Sequence, residues 1–349
     1  MDNELTLVVG TYTSGESNGI YTYRFNMENG KAEYLKETET NNPSYLTVSE
    51  DGKYIYAVSE EEGEKAVVNA FLFDNRTGAL KLLNFQPTQG DNPCYVSTNG
   101  SYVVTANYSG GSISYFQLAD DGTLNPAEVI PFTGAGTVED RQDAPHLHCV
   151  YFTPDGAHLL ATDLGTDHIY KFDINKNAGR TKDDQYLVSG TPQSFIVEPG
   201  SGPRHLTFSP DGKYAYVITE LSGRVIVFQY EGGNLSEIQS IVADKLQAGG
   251  SGDIHITPDG KYLYASNRLE GDGLAIFEIQ DDGMLVNVGY QLTGKHPRNF
   301  VITPNGKFLL LAARDSNVIE VYQIDDKTGL LTNTNQDIKL DKPVCLKFV

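Results

Sequence analysis

The chain has 349 residues, with 46 acidic and 26 basic side chains, which gives a formal net charge of −20 and a pI near 4.6. Nucleic-acid binding by counterion release needs a basic face, so a nucleic-acid partner is not expected. A few arginines in a cleft can still hold one phosphate or carboxylate, because their field acts at short range.

The N-terminus leads from Met1 directly into an apolar run, Leu5 to Thr13, whose composition predicts a β-strand. It has no basic n-region or cleavage site, and no apolar run in the chain reaches the ~18–20 residues of a membrane span. We therefore expect a cytoplasmic protein with no membrane partner, or an exported one if a leader has been removed.

Six similar segments follow along the chain, each centred on an Asp-Gly or Asn-Gly turn. The turn glycines lie 46 to 56 residues apart, and their mean spacing implies seven units in 349 residues. The insertions that lengthen two of the spacings span Pro131 to Pro145 and Asn175 to Gly202. The glycines are Gly52, Gly100, Gly156, Gly212, Gly260 and Gly306.

Each unit consists of two alternating apolar runs around the turn, followed by a third and a fourth run. Alternation with period two around such turns predicts a four-stranded antiparallel meander. Repeats of about 40–50 residues with four strands each are typical of propeller blades. The sequence therefore predicts an all-β protein, a seven-bladed β-propeller occupying residues 1–349 as a single domain.

The two ends of the chain predict how the ring closes. Pro343 to Val349 matches only the first strand of a unit, whereas Leu5 to Thr40 matches only the other three. We expect the C-terminal strand to pair with the N-terminal strands, which removes an open sheet edge.

The same register predicts one functional pole. Residues eight before and eight after each turn glycine should emerge together, because the two strands are antiparallel. The first set is Ser44, Asn92, His148, Arg204, Gly252 and Arg298, with Asn92 less securely placed because its strand is short; the second is Glu60, Tyr108, Leu164, Glu220, Arg268 and Arg314.

Arginines are frequent at this pole, and two interpretations remain open. Converging arginines at a channel mouth favour an anion site, because a buried guanidinium needs a partner. Alternatively, these arginines pair with Glu60, Glu220 or Asp315 and join neighbouring blades.

The motif Pro-His-Leu-His places His146 and His148 two residues apart. Such a pair could ligate a metal, but no third ligand has a recognisable spacing, so no metal or other cofactor is expected. A general base or a hydrogen-bond donor is the better functional interpretation, and a histidine that caps backbone carbonyls is the structural one. The three cysteines lack zinc-site or disulfide spacing, which favours a role as small apolar strand residues.

Five stretches carry a resemblance to the lactonase family of seven-bladed propellers. They read PHLHCVYFTPDG, DLGTDHIYKFD, GSGPRHLTFSPDGKYAYVITEL, GKYLYASNR and GKHPRNFVITPNGKFLLLAA. The family includes propeller-type 6-phosphogluconolactonases and the fungal carboxy-muconate lactonizing enzyme. The resemblance covers essentially the whole chain.

The resemblance implies a catalytic set and a substrate-binding set. The catalytic set is His148, Arg204, Glu220 and Arg268; the substrate-binding set is His146, Arg298, Asn107 and Asn267.

The reaction implied is hydrolysis of a phosphorylated sugar δ-lactone, as in the pentose phosphate pathway. Glu220 or His148 would deprotonate water, and Arg204 or Arg268 would stabilise the oxyanion. Arg298 and the remaining arginine would hold the phosphate of a small anionic substrate.

Two alternatives stay open. The first is another lactonase or a muconate-type cycloisomerase, and the second is a non-catalytic binding scaffold. We expect a monomer or a weak homodimer.

Overall fold

The computed structural model describes residues 3–175, 186–187 and 192–349. Within these residues, 29 strands form seven antiparallel sheets, and two short 3₁₀ helices cover Gly63–Lys65 and Arg314–Ser316. This arrangement confirms the predicted all-β propeller with seven blades. We number the blades by the chain order of their innermost strands.

The strands of blades 1 to 3 follow one another along the chain. Blade 1 holds β4 (Leu46–Val48), β5 (Tyr54–Ser59), β6 (Val67–Asp74) and β7 (Ala79–Pro87). Blade 2 holds β8 (Pro93–Thr98), β9 (Tyr102–Asn107), β10 (Ser112–Gln117) and β11 (Glu128–Pro131). Blade 3 holds β12 (Leu147–Phe152), β13 (His158–Asp163), β14 (His168–Asp173) and β15 (Gln193–Ile196).

Blades 4 to 6 repeat the pattern, and blade 6 has its outer strand in two pieces. Blade 4 holds β16 (Pro203–Phe208), β17 (Tyr214–Thr219), β18 (Arg224–Glu231) and β19 (Asn234–Val242). Blade 5 holds β20 (Ser251–Ile256), β21 (Tyr262–Asn267), β22 (Gly273–Ile279) and β23 (Leu285–Leu292). Blade 6 holds β24 (Pro297–Ile302), β25 (Phe308–Ala313), β26 (Val318–Ile324), β27 (Leu331–Asn333) and β28 (Ile338–Lys339).

Blade 7 joins the two ends of the chain. The C-terminal β29 (Pro343–Phe348) pairs with β1 (Glu4–Thr11), which is followed by β2 (Gly19–Asn26) and β3 (Ala32–Glu39). Leu7 lies opposite Phe348, and Val9 lies opposite Leu346. The predicted closure by one C-terminal and three N-terminal strands is confirmed.

Burial falls from the second strand of each blade to the fourth. All residues of β9, β21 and β25 are buried, whereas the outer strands are largely exposed. The apolar side chains of the buried strands pack face to face between neighbouring blades, and this burial provides most of the driving force for folding.

A Tyr-X-Tyr motif connects some blades to the next one. The hydroxyl of Tyr216 in blade 4 donates to the carbonyl of Gly283 in blade 5 over 2.9 Å. Gly283 has φ of +80°, and a Cβ built on it would lie 2.4 Å from the ring of Tyr214. The motif therefore requires glycine at that turn, both for its backbone angle and for its space.

Candidate active site

Six of the seven inner strands carry a β-bulge near one end of the channel, and three bulged residues belong to the predicted site. The pairing register skips His148 in β12, Arg204 in β16 and Arg298 in β24. A bulge leaves one residue outside the ladder and re-aims its side chain. The bulge explains why residues eight before the turn glycine converge at one pole.

Blade 2 departs from the predicted register. Its bulge falls on Cys94, whereas Asn92 precedes β8 with a φ of +51°. The placement of Asn92 at the inner-strand position was wrong, because the first strand of this blade is shortened.

Glu220 is the centre of the cluster at this pole. It is 7% exposed, and its Oε2 accepts from Nε of Arg204 at 2.7 Å and lies 3.0 Å from Nη2 of Arg268. Its Oε1 accepts from Nη2 of Arg141 at 2.6 Å. Burial alone would raise the pKa of Glu220, but Arg268, Arg204 and Arg141 outweigh it and lower that pKa to about 2.

Arg204 and Arg268 are held by backbone carbonyls as well as by Glu220. Nη1 of Arg204 donates to the carbonyl of Gly252 at 2.8 Å, and Nε of Arg268 donates to that of Gly250 at 2.6 Å. Burial lowers the pKa of Arg268 to about 9, which leaves it charged at neutral pH. The Nη2 group of Arg204 donates no hydrogen bond to any described residue, so it is available to a ligand.

Arg298 faces Glu60 and Tyr12 across the ring closure. Its Nη2 lies 3.6 Å from Oε2 of Glu60, and its guanidinium lies 5.3 Å from the centre of the Tyr12 ring. The Tyr12 hydroxyl donates to the Glu60 carboxylate at 3.0 Å. Arg298 itself donates no hydrogen bond to the rest of the described chain, although its side chain is only 14% exposed.

The predicted ion pairs between arginines and acids therefore exist, and some of them join blades. Arg298 of blade 6 faces Glu60 of blade 1, and Arg268 of blade 5 reaches Glu220 of blade 4. These pairs leave some guanidinium N–H groups without an acceptor. Three arginines share the Glu220 carboxylate, and Arg298 lies 3.6 Å from that of Glu60. The pole retains more positive than negative charge, which suits an anionic ligand.

His148 is buried in the same layer. Its Nδ1 lies 3.7 Å from Sγ of Cys94, and its ring meets those of Tyr108 and His205 edge-on. Burial and then Arg204 hold the pKa of His148 well below its usual range, so the imidazole is neutral at pH 7. No described residue bonds to Nε2, so this nitrogen is able to accept a proton in the tautomer that carries its hydrogen on Nδ1.

His146 lies beside this layer and is half-buried. Its ring stacks on Tyr108 with centroids 4.4 Å apart, and its Nε2 lies 3.4 Å from Oδ1 of Asp143. It therefore flanks the site rather than joining the Glu220 cluster.

Asn107 and Asn267 are fully buried inside their blades. The Asn107 amide donates to Ser112 and Ser114, and the Asn267 amide donates to the carbonyl of Ala243. Their carbonyl oxygens also accept hydrogen bonds from the protein. The structure thus leaves neither side chain available to a ligand, because the amide and carbonyl groups of both are bonded inside the blades. The resemblance had implied that both bind substrate.

Three further residues at this pole were missed by sequence reasoning. Arg141 lies in the insertion between blades 2 and 3, and its side chain is 38% exposed. Tyr12 follows β1, and His296 bridges Arg268 and Arg314 at 3.4 and 3.3 Å. Of the three, only His296 could have been found from the sequence. It lies two residues before the bulged Arg298, as His146 lies two residues before the bulged His148.

The first insertion is held by a buried glutamine. Nε2 of Gln142 donates to Oδ1 of Asp167 at 2.8 Å, and the same carboxylate accepts from the backbone of Gly200 and Gly202. The two insertions therefore meet at Asp167, and this contact fixes the loop that carries Arg141. Part of the second insertion, residues 176–185 and 188–191, lies outside the described residues.

Two general properties complete the description. Among the described residues, no three His, Cys, Asp or Glu side chains are grouped to share a metal ion. In the same part of the chain, no helix is both long and apolar enough to cross a membrane.

A seven-bladed ring with this arginine-rich pole belongs to a known class. The chain matches the family described as lactonase, 7-bladed beta-propeller, over residues 6–348, and it is a member of that family.

Individual relatives support the same family. The 6-phosphogluconolactonase of Bacillus subtilis is 36% identical over 98% of this chain and 97% of its own length. A candidate 6-phosphogluconolactonase of Bacteroides fragilis has a crystal structure that is 59% identical, with a TM-score of 0.98 over 100% of this chain and 98% of the other. The periplasmic gluconolactonase of Pseudomonas aeruginosa is 34% identical, with a TM-score of 0.91 over 99% of both chains.

Proposed function

We propose that this protein hydrolyses a phosphorylated sugar δ-lactone of the 6-phosphogluconolactone type to the open-chain acid. Two relatives named 6-phosphogluconolactonase share 36% and 38% identity with it over 98% and 82% of the chain. The observation that carries the proposal is Arg298, a largely enclosed cation without a hydrogen bond to the described protein, beside three arginines on one carboxylate. Such a site has positive charge that the protein does not neutralise, so it suits an anionic ligand.

His148 is the base in this proposal. Both oxygens of Glu220 are engaged by arginines, so neither is free to take a proton from water. Neutral His148 has a free Nε2, which can take a proton from water as the water oxygen attacks the carbonyl carbon. Glu220 then serves to hold the arginines in place.

Arg204 stabilises the oxyanion that forms on the carbonyl oxygen, and Arg268 supports it. The unused Nη2 group of Arg204 is a fixed donor in a buried setting, where a hydrogen bond to developing charge is strongest. When the intermediate collapses, the ring carbon–oxygen bond breaks. The ring oxygen leaves as a hydroxyl and recovers the proton from His148, while the acid product ionises.

Arg298 binds the phosphate in this scheme. A phosphate monoester carries about −1.5 to −2 charges at pH 7 and offers several acceptor oxygens. Arg298 can donate to them in a forked geometry, which a lysine cannot reproduce.

The test is the hydrolysis rate of freshly generated 6-phosphogluconolactone, above its spontaneous rate, for the wild type and two variants. We expect His148→Gln to lower kcat by about 10²–10⁴-fold. Arg298→Gln should mainly raise KM. His158→Gln and Arg224→Gln are matched controls on blades 3 and 4 and should retain activity, because their partners are Asp173 and Ser240.

Other outcomes distinguish the alternatives. Activity on unphosphorylated lactones alone would replace the substrate while keeping the hydrolase class. Activity on muconates alone would favour the cycloisomerase. A folded wild type without activity on any of them would contradict an enzymatic role and favour the binding scaffold.

A cytoplasmic location belongs to the same proposal, because a phosphorylated lactone would be an intracellular substrate. The similar gluconolactonase of Pseudomonas aeruginosa is periplasmic. Cell fractionation decides between the two compartments.

A further inference from the structure

A buried carboxylate lies next to the proposed site and has no part in the mechanism above. Asp253 is 2% exposed. Its Oδ1 accepts from Nδ1 of His205 at 2.7 Å, and its Oδ2 accepts from Nε2 of His255 at 2.8 Å. The amide of Asn299 also donates to Oδ2. An ionised carboxylate is costly to bury, so this number of donors calls for an explanation.

The position of these residues in the fold explains their meeting. His205 and Asn299 each follow the bulged arginine of their strands, and Asp253 lies in the bulge of β20 between them. Blades 4, 5 and 6 thus point equivalent residues into the channel, directly beside the layer that holds Arg204.

His205 connects the carboxylate to the site. Its Nε2 lies 3.1 Å from Nη1 of Arg204 and must accept, because a guanidinium only donates. Nδ1 therefore carries the proton and donates to Asp253. Burial and then Arg204 lower the pKa of His205 to about 3, so it remains neutral. Asp253, His205, Arg204 and Glu220 form one buried hydrogen-bond chain.

We propose that Asp253 and His205 are positioning residues that set the orientation of Arg204 for catalysis. Arg204 shares Glu220 with Arg141 and Arg268, so the carboxylate alone does not fix the plane of its guanidinium. Nη1 is held jointly by the carbonyl of Gly252 at 2.8 Å and by Nε2 of His205 at 3.1 Å. His205 is the side-chain part of this contact, and with both partners in place the unused Nη2 points toward the reacting carbonyl. This inference rests on the proposed function for the identity of the reaction.

The experiment is a double-mutant cycle on lactone hydrolysis with His205→Leu and Arg204→Lys. We expect His205→Leu to lower kcat about 10–100-fold with little change in KM, because a small misplacement of a catalytic group can cost up to about 10²-fold. In the Arg204→Lys background the same change should cost under about 3-fold, because interacting residues are not additive. His205→Gln, which keeps a donor and an acceptor, should recover part of the rate.

His255→Gln is the matched control. His255 contacts the same carboxylate but not Arg204, and its side chain is 28% exposed. Its replacement should leave kcat unchanged. Equal losses from His205→Leu and His255→Gln, or full additivity with Arg204→Lys, would overturn the inference.

A second readout separates this inference from the proposed function. A crystal structure of the His205→Leu protein should have the Arg204 guanidinium rotated. The unfolding temperature should fall as well, because Oδ1 of the buried Asp253 loses its donor, and His205→Gln should restore part of it. If the wild type hydrolyses no lactone, the proposed function fails. The crystal structure of the variant then still tests whether His205 orients Arg204. An unmoved Arg204 in the crystal would overturn the positioning role.

Discussion

The two arcs of the ring differ in what they place at equivalent positions of the inner strands. In the charged arc, blades 3, 4 and 6 carry His148, Arg204 and Arg298, and blade 5 carries Gly252. In the uncharged arc, blades 1, 2 and 7 carry small uncharged residues. These are Ser44, Cys94 and Val344.

The backbone does not explain this difference. The bulge occurs in both arcs, in blades 2 and 7 as well as in blade 3, although the three-residue β4 of blade 1 pairs without one. The propeller therefore repeats a geometry, and the side chains at the repeated position confine the chemistry to one arc. A function on this fold has to be argued from those side chains.

Glu220→Gln should produce the largest change in stability, because it removes the carboxylate that three arginines of the charged arc share. It leaves three arginines facing a neutral amide, and removing one partner of a buried ion pair costs about 3–5 kcal/mol. The depressed pKa means that this contribution is present above about pH 4.5 and is lost as the pH falls toward 2.

Urea unfolding at pH 7, 5 and 3 measures the effect. The difference in unfolding free energy between wild type and Glu220→Gln should narrow at pH 3. The exposed outer-strand substitution Glu237→Gln serves as the control. A difference that stays constant with pH would contradict the assignment of the ion pairs.

Glycine-to-alanine changes should affect both arcs equally, because the tyrosine contacts belong to the scaffold. Gly283 in blade 5 and Gly122 in blade 2 have φ near +80°, and a Cβ on either would lie 2.3–2.4 Å from a tyrosine ring. We expect each change to cost about 2–4 kcal/mol, from backbone strain plus overpacking.

Gly100 provides the matched control for this pair. Its φ is +84°, but a Cβ there would meet nothing within 4 Å. Gly100→Ala should therefore cost only about 1–2 kcal/mol. Thermal or urea unfolding compares the three variants, and unequal losses at Gly122 and Gly283 would argue against a symmetric scaffold.

Ser44→Ala should have the smallest effect and tests the uncharged arc. The Ser44 hydroxyl is buried and has no hydrogen-bond partner among the described residues. Its removal should be neutral or stabilise the protein by up to about 1 kcal/mol, since an unsatisfied buried polar atom is unfavourable. Urea unfolding and the hydrolysis rate together check this. A loss of activity would place Ser44 in the site.

The amino-acid sequence by itself determined the ring. Strand alternation, turn glycines at repeating intervals and the incomplete units at the two ends are local signals, so they survive without tertiary information. The same register placed His148, Arg204, Glu220, Arg268 and Arg298 at one pole, because antiparallel strands relate positions before and after a turn.

Only the tertiary structure decided which groups meet across blades. Arg141 reaches Glu220 from a loop 79 residues away, and His205 meets Asp253 from the neighbouring blade. It also turned Asn107 and Asn267 into the sheets and moved the inner position of blade 2 to Cys94. Such contacts depend on closure of the ring and on how bulges aim side chains, and neither leaves a periodic pattern in the sequence.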